Sequence, residues 1–189
     1  MSYYCISSKV GSEKRLIPHL EKLFEREFEN DDDIQIIFPY KRVMEKRNKL
    51  KMKVEKPLLP GYLLLKSDKQ LSFISKEIRR IPYSYGLVSN RIDNKFDMHG
   101  SDIQYADWVF SYNGVIEPSK VALELGSEVR VVSGPLVDCL GEVARVDKRQ
   151  EKVGVNMLFL GAVRLVWLPI EIVETHVDAE DVQRIFTKQ

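Results

Sequence analysis

The chain has 189 residues, of which 44% are apolar and 30% charged, with a formal net charge of +1. This length accommodates one ordinary domain or two small ones, and the charge excludes a uniformly basic coat while leaving local basic patches open. No apolar run approaches the roughly 20 residues that span a bilayer. The N-terminus, MSYYCISSKV, lacks the features of a secretory signal. We therefore expect a cytoplasmic protein without membrane contact.

The titratable and thiol residues offer no catalytic or metal motif. Cys5 and Cys139 lie far apart with no second thiol or histidine nearby, so they are expected to be small buried apolar residues. The histidines, at 19, 99 and 176, are scattered, and phosphate-loop and HExxH motifs are missing from the sequence. We therefore expect no enzymatic activity, no cofactor and no metal site.

The first predicted elements are a strand and a helix. YYCISSK is short and rich in β-favouring residues, which predicts a strand. Ser12 can cap the helix that follows, while Pro18 would remove a hydrogen bond inside it and predicts a late or distorted helix start. One apolar face is expected from Leu16, Leu20, Leu23, Phe24 and Phe28.

A strand, a charged arm and another strand are predicted next. IQIIFPYKRV favours a strand, with Pro39 indicating an edge or a bend. In the basic run 41–56, Leu50, Met52 and Val54 alternate with lysines, which indicates one face of a hairpin arm. YLLLK predicts a further strand.

The first half closes with two helices around a short strand. QLSFISKEIRRI predicts a helix with Leu71, Ile74 and Ile78 facing inward, YGLV a strand, and SDIQYADWVFSY a helix capped by Ser101. Residues 1–112 are therefore expected to form an α+β domain, in which helices cover one antiparallel sheet.

Composition changes in the second half. Residues 113–125 contain Gly, Pro and Ser without a firm period, which predicts a linker. Residues 126–174 contain four or five short alternating segments divided by Gly-rich turns, which predict a small all-β barrel. For the tail, 175–189, both a short helix and a frayed end remain open.

Motifs in both halves resemble the NusG family of transcription elongation factors. In the second half, the Gly126 entry, Ser133-Gly134-Pro135-Leu136 and Gly141 resemble the family's KOW domain. In the first half, Tyr3-Tyr4, Gly11-Ser12-Glu13, Phe38-Pro39 and Pro60-Gly61-Tyr62 resemble its N-terminal domain in the same order. The resemblance covers roughly residues 2–174.

Three positions depart from the family's general member. Leu59 replaces the usual aromatic before Pro60, Tyr3 replaces Trp, and Leu136 replaces the usual Phe. The amino-acid sequence of the barrel loop is more similar to that of specialised paralogues of the LoaP type, which act on selected operons. The resemblance therefore implies an operon-specific regulator rather than the housekeeping factor.

The resemblance implies a docking surface for RNA polymerase in the first half. Leu59-Pro60-Gly61-Tyr62 suits a type II turn that delivers Tyr62 onto the sheet. From the residues alone, ordinary core packing and a docking surface both remain open. By matched positions, the clamp helices would meet Tyr3, Ser7, Leu59, Pro60, Tyr62 and Leu64, and the opposite lobe of the polymerase would meet the region from Ser72 to Lys76.

Basic clusters are candidate nucleic-acid contacts. Clustered Lys and Arg favour phosphate contact through counterion release, although a solvated arm is an equally open interpretation of run 41–56. The candidates for upstream or non-template DNA are Arg42, Lys46, Arg47, Lys49 and Lys51, with a second, weaker edge of Lys9, Lys14, Arg15 and His19. The candidates for an RNA hairpin on the barrel are Arg145, Lys148, Arg149, Lys152 and Arg164.

For the barrel, a protein partner competes with RNA. The family also uses this domain to dock a ribosomal protein or a termination factor, here through an apolar rim of Leu136, Phe159 and Leu160. Overall, the resemblance implies a monomer that binds polymerase and promotes processive elongation or antitermination. The alternatives are a stand-alone RNA-binding or ribosome-associated KOW protein, and a purely structural interaction module.

Overall fold

The computed structural model describes residues 1–28, 33–47, 50–90, 93–123 and 129–173. Within these ranges, no helix is both long and apolar enough to cross a membrane. The chain divides into two compact units. The first comprises Met1–Pro39 and Leu59–Gly114, and the second comprises Tyr40–Leu58 and the described chain from Val115 onward.

The elements follow one another along the described chain, with a 3₁₀ turn at Leu71–Ile74. In order they are β1 (Ser2–Ser8), α1 (Glu13–Glu27), β2 (Ile34–Ile37), β3 (Tyr40–Arg47), β4 (Leu50–Pro57), β5 (Tyr62–Ser67), α2 (Ser75–Arg80), β6 (Ser84–Leu87), α3 (Ser101–Ser111), β7 (Val115–Ile116), β8 (Ser119–Leu123), β9 (Val129–Ser133), β10 (Glu142–Asp147), β11 (Lys152–Phe159) and β12 (Ala162–Ile172).

The first unit is built on an antiparallel sheet of order β2-β5-β1-β6. Alternation places Tyr4 and Ile6 of β1, with Leu63 and Leu65 of β5, in the main hydrophobic core. The apolar faces of α1 and of the segment 71–78 belong to the same core, with Leu16, Leu20, Leu71, Ile74 and Ile78 buried. The predicted inward faces of both helices are therefore confirmed, because the 3.6-residue period brings these side chains to one side.

The start of α1 differs from the prediction. The prediction from Pro18 was a late or a distorted start. The helix begins at Glu13 and carries Pro18 inside it, so a late start is wrong, while a distorted start stays a prediction. Ser12 occupies the N-cap position, but its side chain makes no capping hydrogen bond. At the other predicted cap, the N-cap position of α3 is Gly100, and Ser101 is the first helical residue.

Helix α3 supplies contacts to the opposite side of β1. The rings of Tyr3 and Phe110 lie 5.4 Å apart between centroids, and the Tyr3 hydroxyl donates to the carboxylate of Asp107. Burial, followed by this hydrogen bond and the charge of Asp107, raises the pKa of Tyr3 to about 12. Tyr3 is therefore held as a neutral hydrogen-bond donor within the unit.

The second unit contains a three-stranded sheet of order β4-β3-β7 and a five-stranded sheet of order β10-β11-β12-β8-β9. The predicted hairpin arm is present, because β3 and β4 pair antiparallel from Tyr40 and Pro57 to Arg47 and Leu50. It belongs to the second unit, however, and not to the predicted domain 1–112. The physical reason is β7, which pairs in parallel with Tyr40 and Lys41.

The segment predicted as a linker is also part of this unit. Within residues 113–125, β7 pairs with β3, while β8 pairs with β9 and, in parallel, with β12. These parallel partners lie far along the sequence, so local composition did not reveal them. The predicted tail, 175–189, lies outside the described residues.

Both cysteines are buried thiols, as predicted. Burial raises the pKa of the Cys139 thiol to about 12, so the thiol remains protonated. Cys139 therefore behaves as a small packing residue beside the core of the second unit, where alternation buries Val153, Val155, Met157 and Phe159 of β11.

Candidate functional site

A hydrogen-bonded junction lies at the end of the first sheet where β5 begins. The turn before β5 has Pro60 followed by Gly61 at φ +87°, the positive angle that the predicted type II turn requires of its third residue. The Gly61 carbonyl accepts from the Ser8 amide at 2.8 Å. The Gly61 amide donates to the buried carboxylate of Glu13 at 2.7 Å. The turn is thereby fixed to both β1 and the first turn of α1.

Several exposed residues with apolar or aromatic side chains belong to the backbone segments next to this junction. Val10 follows β1 and is 67% exposed, and its Cγ2 lies within 3.2 Å of where a Cβ on Gly61 would stand. The Lys9 amide donates to the Tyr83 carbonyl at 2.8 Å, which brings the loop before β6 alongside. Tyr83 is exposed, and Tyr85, at a register shift between β6 and β1, is 63% exposed.

Tyr62 lies at the same end of the sheet. It pairs in register with Ser7 of β1, which in turn pairs with Gly86 of β6. Tyr62 and Ser7 are half-buried, and Pro60 is exposed. We call the exposed and half-buried apolar group formed by Val10, Pro60, Tyr62, Tyr83 and Tyr85 the sheet-end patch.

Three of the predicted polymerase contacts are not accessible. Leu64 is fully buried on β5, and Leu59 is buried beside the turn. Tyr3 is buried and bonded to Asp107. They therefore support the sheet rather than present a surface. Leu64 lies on the same face of β5 as Tyr62 and Lys66, but it is covered there, whereas those two side chains are half-buried.

The predicted second contact lies at the far end of β5. Ser72 and Lys76 come after Ser67, the last residue of that strand. The length of a six-residue strand places Ser67 about 17 Å from Tyr62. Lys76 is exposed and Ser72 half-buried. Between them Phe73 is 63% exposed, and its ring meets Phe28 edge-on at 5.7 Å between centroids.

The basic residues predicted to contact nucleic acid lie in separate parts of the structure. Lys9, Lys14 and Arg15 are exposed at the start of α1, in the same segment as Val10. Arg42 is engaged by carboxylates, at 2.5 Å from Glu117 and 3.7 Å from Glu55. For Lys46, Arg47 and Lys51 the backbone pairing of the hairpin is described but the side chains are not, and Lys49 lies outside the described residues.

The basic residues of the second half are only partly brought together. Lys148 and Arg149 are exposed at the β10–β11 turn, and Arg145 is exposed on β10 just before it. Lys152 is half-buried, with its ammonium 4.4 Å from the ring centroid of Trp167. Arg164 is half-buried opposite Met157 and does not belong to this turn.

The apolar surface of the second unit differs from the predicted rim. Leu136 and Phe159 are buried, so they cannot form an exposed rim, and Leu160 is half-buried. Three exposed apolar side chains instead share one face of the β11–β12 hairpin, where Leu158 pairs with Val163 and Asn156 with Leu165.

Sequence reasoning missed Val10, Phe73, Tyr83 and Tyr85. Phe73 carried a usable signal, because it lies off the inward face defined by Leu71, Ile74 and Ile78. Val10, Tyr83 and Tyr85 carried none, since only the pairing of β1 with β6 brings their segments together.

Comparison with known proteins places these features in a family. Residues 1–104, more than half of the chain, match the family model described as transcription termination factor nusG. A transcription termination/antitermination protein NusG from Thermus thermophilus is 28% identical over 168 residues, covering 85% of this chain and 91% of the relative. The protein of that name from Helicobacter pylori J99 is 29% identical over 185 residues, covering 94% and 98%.

One solved structure shares the fold. The structure described as "Domain interaction in Thermotoga maritima NusG" superposes with a TM-score of 0.53 at 20% sequence identity, covering 89% of this chain and 93% of that one. The likeness extends over most of both chains and concerns their fold.

Proposed function

The chain belongs to the NusG family, and we infer that it regulates transcription elongation by binding RNA polymerase through its first unit. The observation that carries this inference is the sheet-end patch. Exposed aromatic side chains held on a hydrogen-bonded backbone suit a protein interface, because they bury much apolar area while losing little conformational entropy. Tyr62, Tyr83 and Tyr85 each add a hydroxyl that can bond at the rim of such an interface.

The clamp helices are the proposed occupant of the patch. Tyr62 and Tyr85 would act as the aromatic anchors, with Val10 and Pro60 filling apolar area beside them. Lys9, Lys14 and Arg15 would form a basic rim, where charges guide association and orientation more than they add affinity. Leu64, Leu59 and Tyr3 would support this surface from beneath without touching the partner.

The region from Ser72 to Lys76 is the proposed contact with the opposite lobe of the polymerase. Its distance from Tyr62 along β5 lets one rigid unit meet two parts of a cleft. Phe73 joins this proposed contact as its exposed aromatic residue. A factor that bridges the cleft in this way would hold the clamp closed and disfavour pausing.

For the second unit, we propose a KOW-type barrel that recruits an RNA element, as in LoaP-type regulators of selected operons. The exposed Lys148 and Arg149 at the β10–β11 turn, with Arg145 on the adjoining strand, support this role, because such loops bind RNA hairpins through phosphate and shape.

A protein partner for the second unit is favoured by a different observation. Leu158, Val163 and Leu165 share one exposed face of the β11–β12 hairpin. An exposed apolar row of this kind suits docking of a ribosomal protein or a termination factor. Substitution of Leu158 and Val163 by Ser would abolish such docking and leave RNA binding unchanged.

The test of the proposed function is readthrough in cells. Nascent transcripts would be mapped in cells carrying the wild-type chain, Tyr85→Ala, or Leu140→Ala as a matched exposed apolar control in the second unit. We expect increased readthrough at one or a few operons with the wild type and the control, and loss of it with Tyr85→Ala. Unchanged readthrough at every terminator after deletion of the gene would contradict the function.

A further inference from the structure

Two lysine side chains of the second unit contact Trp167, and a third lysine lies opposite one of them. The ammonium of Lys41, on β3, donates to the Trp167 carbonyl at 2.5 Å. The ammonium of Lys152, at the start of β11, lies 4.4 Å from the centroid of the Trp167 ring. Lys56 of β4 stands directly opposite Lys41 in the hairpin register. We call Lys41, Lys56 and Lys152 the lysine cluster.

This arrangement opposes ordinary folding preferences. Like charges directly opposite one another on paired strands repel, and a half-buried ammonium loses solvation. Burial first, and then the charges of Lys56 and Lys152, lower the pKa of Lys41 to about 8. The fold thus holds together positive charges that would be more stable apart.

Carboxylates compensate two of the three lysines. Lys56 pairs with Glu45 of β3, and Lys152 lies 3.9 Å from Asp147 at the β10–β11 turn and also bonds Gln150. Glu117, which precedes β8, is engaged by Arg42 on the other face of β3. The Lys41 ammonium donates to a backbone carbonyl, and within the part of the chain that the structure describes no carboxylate pairs with it. Lys41 is therefore the charge that an external anion would satisfy.

We propose that the lysine cluster beside Trp167 is a single phosphate-binding site for a nucleic-acid backbone, formed jointly by the β3–β4 hairpin and the five-stranded sheet. Lysine ammoniums bind phosphate as point charges and release counterions on doing so. The proposal rests on the proposed function for its nucleic-acid partner. It differs from the separate arm and barrel contacts predicted from sequence, because it makes Lys41 the central residue of one composite site.

Trp167 gives the site a built-in reporter. It pairs in register with Gly154, where a Cβ would meet the indole ring at 3.4 Å, so the absence of a side chain leaves room for the ring. Lys152 contacts the ring as a cation. When a phosphate draws Lys152 or Lys41 away, the fluorescence of Trp167 will change.

The test measures binding of short labelled RNA and DNA by the full chain without polymerase. Variants are Lys41→Met and the matched control Lys53→Met, which removes an exposed lysine from the other face of the same hairpin. We expect Lys41→Met to weaken binding about tenfold and to reduce the salt slope by about one, whereas Lys53→Met stays within about twofold. Equal losses from both variants, or none from Lys41→Met, would overturn the site.

Two further readouts separate a phosphate site from a structural role. Binding should weaken from about pH 7 to pH 9 in the wild type but not in Lys41→Arg, because a guanidinium does not titrate in this range. The fluorescence change on binding should vanish in Trp167→Phe. Binding that is independent of pH in the wild type, or a fluorescence change that persists without Trp167, would contradict the proposal.

The same experiment distinguishes RNA from DNA as the source of the phosphate. Tighter binding of hairpin RNA than of duplex DNA, lost in Lys41→Met, would assign nascent RNA to the site, and the reverse order would assign DNA near the polymerase. Polymerase binding by Lys41→Met should remain normal. A failure of this site is therefore distinguishable from a failure of the proposed function.

Discussion

The carboxylate of Glu13 accepts a hydrogen bond from the Gly61 amide at 2.7 Å, which joins the first turn of α1 to the turn that precedes Tyr62. Glu13 is buried, so the bond is shielded from water. A carboxylate at the N-terminus of a helix also interacts favourably with the helix dipole. One side chain thus stabilises α1 and sets the position of an aromatic residue in the sheet-end patch.

Replacing Glu13 by Ala should destabilise the first unit. The Gly61 amide would lose its partner in a buried place, which costs about 1–3 kcal/mol of unfolding free energy. Urea unfolding followed by Trp108 fluorescence would measure this cost. Glu21→Ala, an exposed change on the same helix, should stay within about 0.5 kcal/mol of the wild type. An equally small effect of Glu13→Ala would show that the bond does not fix the turn.

Gly61→Ala should cost more than Gly11→Ala. Both glycines have similar positive angles, φ +87° and φ +82°, so both substitutions carry the same backbone strain. Only at Gly61 would the new Cβ meet neighbours, with Val10 Cγ2 at 3.2 Å and the Ser8 carbonyl at 3.3 Å. We expect Gly61→Ala to exceed Gly11→Ala by about 1 kcal/mol in urea unfolding. Equal losses of unfolding free energy in the two variants would mean that the neighbours of Gly61 move aside without a cost.

Leu64→Ala should behave as a core substitution. Leu64 is fully buried, so its truncation leaves a cavity and costs about 2–5 kcal/mol of unfolding free energy. Val10→Ala, an exposed truncation in the sheet-end patch, should change stability by less than about 0.5 kcal/mol. If Leu64→Ala instead left stability intact and weakened polymerase binding alone, Leu64 would be a surface contact, as the family resemblance first implied.

The stability of the second unit should rise with pH because of Lys41. The pKa of Lys41 is lowered from 10.5 to about 8 in the folded chain. Between these values the unfolded chain binds more protons than the folded one, so the unfolding free energy increases as pH rises through this window. Below about pH 8 the destabilisation is fully present.

Lys41→Met should remove this pH dependence. An apolar side chain in the half-buried position should raise the unfolding free energy near pH 7 by about 1–2 kcal/mol. Unfolding followed by Trp167 fluorescence, with Lys53→Met as the control, would measure it. A rise in stability with pH that survives in Lys41→Met would assign the effect to other groups.

Local sequence patterns predicted the elements of the first unit well. The 3.6-residue spacing of Leu16, Leu20 and Leu23 identified the buried face of α1, because a helical period acts within a few residues. Pro60-Gly61 identified the turn from local sequence as well, because Pro fixes its own φ and Gly can adopt a positive φ. Pro18 misled the prediction because α1 tolerates the loss of one hydrogen bond near its start.

Contacts between segments that are far apart in the sequence could not be predicted from local patterns. Tyr85 reaches the sheet-end patch through the register shift of β6 against β1, which no local pattern encodes. Glu13 looked like an ordinary residue opening a helix, although it is buried by its bond to a turn 48 positions away. Lys41 gained its surroundings from β12, through a carbonyl 126 positions along the chain.

The affinity of the purified chain for core RNA polymerase tests the central claim most directly. The wild type should bind, and the double variant Tyr62→Ala/Tyr85→Ala should bind at least about tenfold more weakly, because truncating aromatic anchors removes most of an interface's affinity. Its urea unfolding should remain close to that of the wild type, with Leu140→Ala as the binding control. Failure of the wild type to bind, or unchanged binding by a folded double variant, would contradict polymerase docking through the sheet-end patch.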